Sequence, residues 1–256
     1  MNNLKEILIK LKEYGCSGVK ISFEDEGALH SEVISMRELT TSVELELSLK
    51  IGGCEAKRDI IDCIDLNCDS IVGPMIESNF ALEKFLKSLS SYNFSKKKGF
   101  NLETIEGYKN LENMKSNLKK LDFITFGRVD FIGSLNKDRN FVDNDDIFEM
   151  VKNVFIEAKK ENIKCYLGGA ISINSNSFIE RLVKDKLLDK FETRYIIFST
   201  ENMDFDKYEE MLYYANLFEV EWMKFISNRY QMYANKDRQR ISMIEDRLSK
   251  NNVFNK

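Results

Sequence analysis

Two carboxylates, Glu103 and Asp130, each fall where a predicted β-strand runs out. Glu103 follows Phe100-Asn101-Leu102, and Asp130 follows the run from Asp122 to Val129. One helical stretch separates the two strands, so both acids are expected on the same rim of a parallel sheet. Hard oxygen ligands placed this way suit Mg²⁺ or Mn²⁺, which bind carboxylates together with waters and substrate oxygens. The chemistry implied is that of an enzyme holding a small oxyacid on a divalent ion.

The elements that must position these acids alternate along the chain. Leu4, Ile7, Leu8 and Leu11 have helical spacing, and Gly15 is a suitable stop for that first helix. Strand signatures follow near residues 19, 43, 70, 99, 122, 164 and 194, with helical stretches and short connections between them. Such alternation predicts a parallel sheet with helices outside it. Seven strands are one short of a closed barrel. The missing strand should precede the first helix, yet the sequence opens almost directly with that helix. The expectation for residues 1–200 is therefore an α/β fold, a TIM-type (β/α)8 barrel that is irregular or lacks its first strand. A Rossmann sheet would need a glycine-rich phosphate turn after its first strand, where this chain has Glu24-Asp25-Glu26-Gly27. Residues 201–256 read as C-terminal helices, rich in aromatics from Phe205 to Phe225, packing on the barrel or on a neighbouring subunit.

Composition narrows the class. A chain of 256 residues with 43% hydrophobic content buries a full core. A net charge of −4 argues against general binding to nucleic acid or an anionic membrane. Lys96-Lys97-Lys98, a dense basic cluster, reads as a solvated loop rather than a phosphate clamp. The sequence has no apolar run of transmembrane length and no signal-peptide pattern at its start. Its five cysteines are scattered without CxxC spacing, so a reduced, cytoplasmic protein is expected.

In a barrel, chemistry sits at the carboxyl ends of the strands. Those ends read Glu24-Asp25-Glu26, then Lys50 with Gly52-Gly53, then Pro74 to Ser78. Asn101 and Glu103, Arg128 and Asp130, Gly168-Gly169 and Ser199-Thr200 complete the rim. Lys50 is in phase with Glu44, Glu46 and Ser48, opposite the odd-numbered apolar residues of its strand, which turns it toward the lumen. There it can pair with a carboxylate or phosphate, or neutralise an acidic rim. Gly168 and Gly169 leave room for a ligand to approach the backbone.

Pro74-Met75, Asn-Leu-Glu-Thr-Ile-Glu-Gly at 101–107 and Phe-Gly-Arg-Val-Asp-Phe-Ile-Gly-Ser-Leu at 126–135 together resemble one family. It is the HpcH/HpaI aldolase and citrate lyase beta subunit group of the phosphoenolpyruvate/pyruvate barrels. The resemblance implies that Glu103 and Asp130 bind Mg²⁺ (or Mn²⁺), with Asn101 beside the metal. It places Lys50 where an arginine grips the substrate carboxylate, and Glu24-Asp25 where citrate lyase beta subunits carry a Glu-Asp pair. The chain departs from the family in three ways. Lysine in place of arginine gives up bidentate recognition. The only histidine, His30, falls in the following helix, where a surface position is expected. The loop at Ser90–Lys98 is short.

The implied activity is a divalent-metal carbon–carbon lyase or aldolase working through an enolate of pyruvate or a related 2-oxo acid. Lys50, Asp25 and Glu24 would act on the reaction, and Lys50, Asn101, Arg128, Gly168 and Gly169 would contact substrate. The second reactant is an unidentified aldehyde or thioester, and the family resemblance implies a homo-oligomer. The competing readings are a lyase acting on an acyl thioester, a barrel that binds an oxyacid or phosphate without turnover, and an interaction protein using its aromatic tail.

Overall fold

The helical spacing at the start of the chain forms α1 (Asn2–Glu13), with Leu4, Ile7, Leu8 and Leu11 all buried. The computed structural model describes residues 1–250. After α1 come β1 (Cys16–Ser22), α2 (His30–Ser42), β2 (Glu46–Lys50), α3 (Lys57–Asp65) and β3 (Ser70–Gly73). They are followed by α4 (Asn79–Ser91), β4 (Lys97–Leu102), α5 (Ile105–Lys109), α6 (Leu111–Leu118) and β5 (Phe123–Gly127). Then come α7 (Arg128–Ser134), α8 (Asp145–Lys160), β6 (Lys164–Gly168), α9 (Asn176–Lys184), β7 (Lys190–Glu192), β8 (Ile196–Ser199) and α10 (Tyr208–Lys250). Side-chain caps fix several helix starts: Ser78 accepts from the Ala81 N–H, Thr104 from Gly107 and Asn144 from Asp146.

The eight strands close into a barrel in sequence order. Pairs from β1–β2 through β6–β7 are parallel. The eighth strand is the irregular one, for β8 runs antiparallel to both β7 and β1. A short hairpin from β7 thus fills the slot that a strand before α1 was expected to hold. The strand signature near residue 194 is this returning strand, and β7 escaped notice. With only three residues, and Lys190 and Glu192 flanking Phe191, β7 shows no apolar run to find. The reversal also moves Ser199-Thr200 from the expected rim to the opposite mouth, where Ser199 pairs with Lys190 at the start of β7. The basic run Lys96-Lys97-Lys98 is likewise less of a loop than expected, since β4 opens at Lys97 and that side chain pairs with Glu46.

The main core lies between the outward faces of the strands and the helices, where Val19, Ile21, Leu47, Leu49, Phe100 and Ile124 are sealed from solvent. Alternate strand residues face the lumen, which holds a separate small apolar cluster of Val72, Phe123 and Tyr166. Phe123 and Tyr166 stack there with ring centroids 4.6 Å apart. The helices at 201–250 form one continuous element of 43 residues, α10. Its first turns cover the barrel through Tyr208, Met211, Leu212, Ala215, Phe218 and Trp222, packing against α1. Beyond residue 231 it is almost entirely exposed, and the segment after Lys250 lies outside the described residues. No described helix is long and apolar enough to cross a membrane.

Lumen packing is tight enough to test. A Cβ built on Gly99 would lie 2.3 Å from the Phe123 ring. Gly99→Ala is expected to destabilise the protein by about 1–3 kcal/mol through overpacking. The loss should shrink in a Phe123→Leu background, as read from urea unfolding midpoints; an equal loss in both backgrounds would refute the contact.

Candidate functional site

At the carboxyl ends of the parallel strands the barrel opens into a polar cavity of about 370 Å³. Glu103 stands between the end of β4 and the Thr104 cap of α5, so both neighbours pin its backbone. Its carboxylate is 3% exposed. Oε1 accepts the Met75 N–H at 2.9 Å and Oε2 accepts Asn101 Nδ2 at 3.0 Å. Gly127 at the end of β5 makes this possible, since a Cβ there would come within 2.9 Å of Glu103 Oε2. Asp130 reaches the same cavity from the first turn of α7, a helix the sequence reading ran together with the strand.

Lys50 is 6% exposed and lies among these acids. Its Nζ is 2.8 Å from Glu24 Oε2 and 3.8 Å from Glu103 Oε2. Burial alone would lower its pKa, but the charge of Glu103 and the ion pair with Glu24 outweigh burial and hold it above the ordinary lysine value. Lys50 therefore stays a cation at neutral pH. Burial pushes the Glu103 carboxyl up, against Lys50 and the two donated hydrogen bonds, and the charge of Asp130 adds to the rise. Asp130 is raised for the same first reason, with Asp25 and Glu24 adding to it and Lys50 opposing.

The expected site residues are mostly brought together. Lys50, Asp25, Asn101, Glu103, Asp130, Gly168 and Gly169 all line the cavity. Glu24 does not line it but touches it through Lys50. Arg128 is the exception and needs correction as a substrate contact. Lumen-facing positions of β5 are 123, 125 and 127, so residue 128 turns outward, and Arg128 is completely buried. It donates to the carbonyls of Gly168, Gly169 and Val142 and to Ser175 Oγ, pairs with Asp143, and stacks on Phe178. Its work is to tie the end of β6 to the turn at 139–143. Burial pulls its pKa down, with Asp143 opposing. His30 opens α2, half-exposed, 3.3 Å from Asp62, and takes no part in lining the cavity.

Other lining residues were not foreseen: Lys20, Thr125, Arg139, Glu192, Arg194, Asn216 and Glu219. Lys20 follows the same alternation as Lys50 and was legible in principle; it pairs with Glu192 at 2.6 Å. Arg194 rides on the unforeseen hairpin, 4.0 Å from Asp25 and 3.8 Å from Glu26. Asn216 and Glu219 are one helical turn apart on an otherwise aromatic stretch of α10. Nothing in the sequence around Arg139 marks it.

The donor set suits a hard dication. Lys20 is paired with Glu192, and the single cation Lys50 is shared among Glu24, Glu103 and Asp130. Asn101 Oδ1 is buried and has no hydrogen-bond partner, a spare oxygen beside the two carboxylates. Among the described residues no three His, Cys, Asp or Glu side chains converge on one point. A metal here would therefore complete its shell with Asn101, water and substrate oxygens.

No protein-family model matches the chain, and no curated protein matches it. Solved structures do. A HpcH/HpaI aldolase/citrate lyase family protein from Burkholderia cenocepacia J2315 superposes with a TM-score of 0.59 at 13% identity, covering 74% of this chain and 82% of that one. A HpcH/HpaI aldolase from Desulfitobacterium hafniense DCB-2 gives 0.60 at 10% identity, covering 75% and 82%. The citrate synthase SbnG gives 0.60 at 14% identity, covering 74% and 81%. At these identities the likeness establishes a shared barrel fold, and the structures carry the family name that the motifs at 74–75, 101–107 and 126–135 resemble.

The corrected role of Arg128 has a measurable consequence. Arg128→Met strands Asp143 and two buried carbonyls, so a loss of about 3–5 kcal/mol in urea unfolding is expected. Arg128→Lys should recover little of it, because one ammonium cannot serve five acceptors. Full stability in either variant would show the network to be dispensable.

Proposed function

We propose that this barrel, which has the fold of the HpcH/HpaI aldolase/citrate lyase structures, is a divalent-metal-dependent carbon–carbon lyase. It would act through an enolate of pyruvate or a related 2-oxo acid. The observation that carries the reading is the under-neutralised pair Glu103 and Asp130, with the spare Asn101 oxygen, on the catalytic rim of the barrel. Glu103 and Asp130 would hold Mg²⁺ or Mn²⁺, which supplies Lewis acidity toward the substrate's carboxylate and keto oxygens.

The chain's own groups divide the remaining work. Lys50 places a fixed positive charge in the cavity where negative charge develops on the substrate oxygen, stabilising it without reorganisation. Asp25 lines the cavity, whereas Glu24 is engaged by Lys50. Asp25 is thus the better placed of the two to take the proton from the carbon next to the keto group. The C–H electron pair then becomes the enolate π bond as the keto π pair moves onto oxygen. That carbon attacks either an aldehyde, whose resulting alkoxide takes back the proton held by Asp25, or a thioester, from which a thiolate leaves and takes that proton. Arg139 and Arg194 are available to hold an anionic group on either reactant. A small polar cavity favours compact oxyacids over long apolar chains.

Proton–deuterium exchange at the pyruvate methyl group, followed by NMR with and without Mg²⁺ or Mn²⁺, tests this directly. Metal-dependent exchange is expected, falling to the metal-free level in Glu103→Gln and Asp130→Asn. Exchange with no metal requirement, or full exchange in both variants, would sink the assignment. No exchange with any metal in a folded protein would point to a thioester substrate or a barrel that binds without turnover.

The raised carboxyls set a pH dependence. Both must be ionised to hold a dication, so Mn²⁺ affinity should fall as pH drops, starting nearer neutrality than for ordinary carboxylates titrating at ~4. For stability the sign reverses. A carboxyl whose folded pKa is raised stabilises the fold below its unfolded pKa, and that contribution is lost as pH rises through the folded value. Glu103→Gln, which keeps an acceptor for the Met75 N–H, should therefore not lower the melting temperature of the metal-free protein at pH 7.5. Mn²⁺ titration and thermal scans across pH check both signs, and tighter Mn²⁺ binding on acidification would contradict them.

A further inference from the structure

A second cavity, of about 360 Å³, lies behind the loop that follows β1, between that loop, the β7–β8 hairpin and α10. Its size is within the range of small-molecule sites. Tyr195, Trp222, Tyr230 and Ile226 supply aromatic and apolar walls, while Glu26 and Glu32 supply carboxylates. No lysine or arginine lines it among the described residues.

The two acids differ in how well they are satisfied. Glu32 closes the capping box of α2 by accepting the Leu29 N–H at 3.0 Å, and it also accepts the Tyr230 hydroxyl. Glu26 is less well served. Its side chain is 7% exposed, and Oε2 accepts only the Ser22 N–H at 3.2 Å. Oε1 makes no hydrogen bond; the nearest cation, Arg194 Nε, is 3.8 Å away. A nine-tenths buried carboxylate therefore lines an aromatic cavity with half of its hydrogen-bonding capacity unspent. Burial pushes its pKa up to about 7, outweighing Lys20, the Ser22 N–H and Arg194, with the charge of Asp25 adding to the rise.

From this arrangement we infer that the second cavity is a binding site for a small organic cation, a primary amine or alkylammonium carrying an apolar or aromatic body. The ammonium would donate to Glu26 Oε1, and the body would lie against Trp222, Tyr195 and Tyr230. Aromatic faces favour a cation through their quadrupole, most strongly when the site is desolvated. A neutral ligand of the same shape would leave Glu26 Oε1 with Arg194 at 3.8 Å and no hydrogen bond from the ligand. An anion would meet two carboxylates. Charge as well as shape therefore selects the occupant.

The site is distinct from the metal-type rim, because Glu26, Tyr195 and Trp222 do not line the first cavity. The inference stands whether or not the lyase reading does.

Phenethylammonium is a suitable probe, with 2-phenylethanol as its neutral match, titrated by calorimetry at pH 8. Saturable one-to-one binding of phenethylammonium is expected, at least tenfold tighter than 2-phenylethanol. Glu26→Gln keeps size and the Ser22 contact but removes the charge, and should weaken the amine at least tenfold while leaving the alcohol unchanged. Equal affinity for the two probes, unaltered binding in Glu26→Gln, or no saturable binding would each overturn the inference.

Discussion

Closure of the sheet is the constraint on which the rest depends. Seven parallel strands would leave β7 and β1 as open edges, each presenting a row of unpaired N–H and C=O groups. A strand before α1 would close that gap in parallel. This chain closes it from the other side, sending β8 back antiparallel straight after β7. The bulge between Cys16 and Gly18 on β1 absorbs the mismatch between an antiparallel partner and an otherwise parallel barrel. The cost in regularity is local, because the other six pairings keep their parallel register.

The same manoeuvre shapes the chemistry. A hairpin between β7 and β8 has its tip at the carboxyl-end rim, since β7 runs upward and β8 runs back down. That tip carries Thr193 and Arg194 to the first cavity and Tyr195 to the second. A parallel crossover would have placed a long connection and a helix there instead. Closing the edge and furnishing the rim are therefore one event in this fold. It is also why consecutive residues, Asp25 and Glu26 in the β1 loop and Arg194 and Tyr195 in the hairpin, line the first cavity and the second.

The repeating part of the architecture was legible in the sequence, and the exception was not. Helical spacing and strand alternation announced the βα repeats because their outward faces must be apolar to meet the helices. The alternation in β2 correctly turned Lys50 inward, and Glu103 and Asp130 do share a cavity. β7 was invisible because three residues with two charged lumen positions resemble a loop. Strand direction leaves no mark in composition, so the signature near residue 194 could be found without its polarity. Arg128 was misread for a related reason: a rim position in sequence says nothing about which way a side chain turns once a helix begins at that residue.

Lysine at position 50, where the motif resemblance implies an arginine, makes physical sense in this setting. An arginine fork would satisfy one carboxylate bidentately and fix it in plane. A lysine is a point charge on a flexible stem, and here it stands between Glu24 at 2.8 Å and Glu103 at 3.8 Å. Neither acid is fully neutralised by it. Glu103 keeps a raised pKa because burial outweighs that neighbour and its two hydrogen bonds. Folding alone gains nothing from such a deficit, since burying under-compensated charge is unfavourable. The barrel retains it beside an amide oxygen with no partner, so this corner of the cavity is held in place by the rest of the fold rather than by its own interactions.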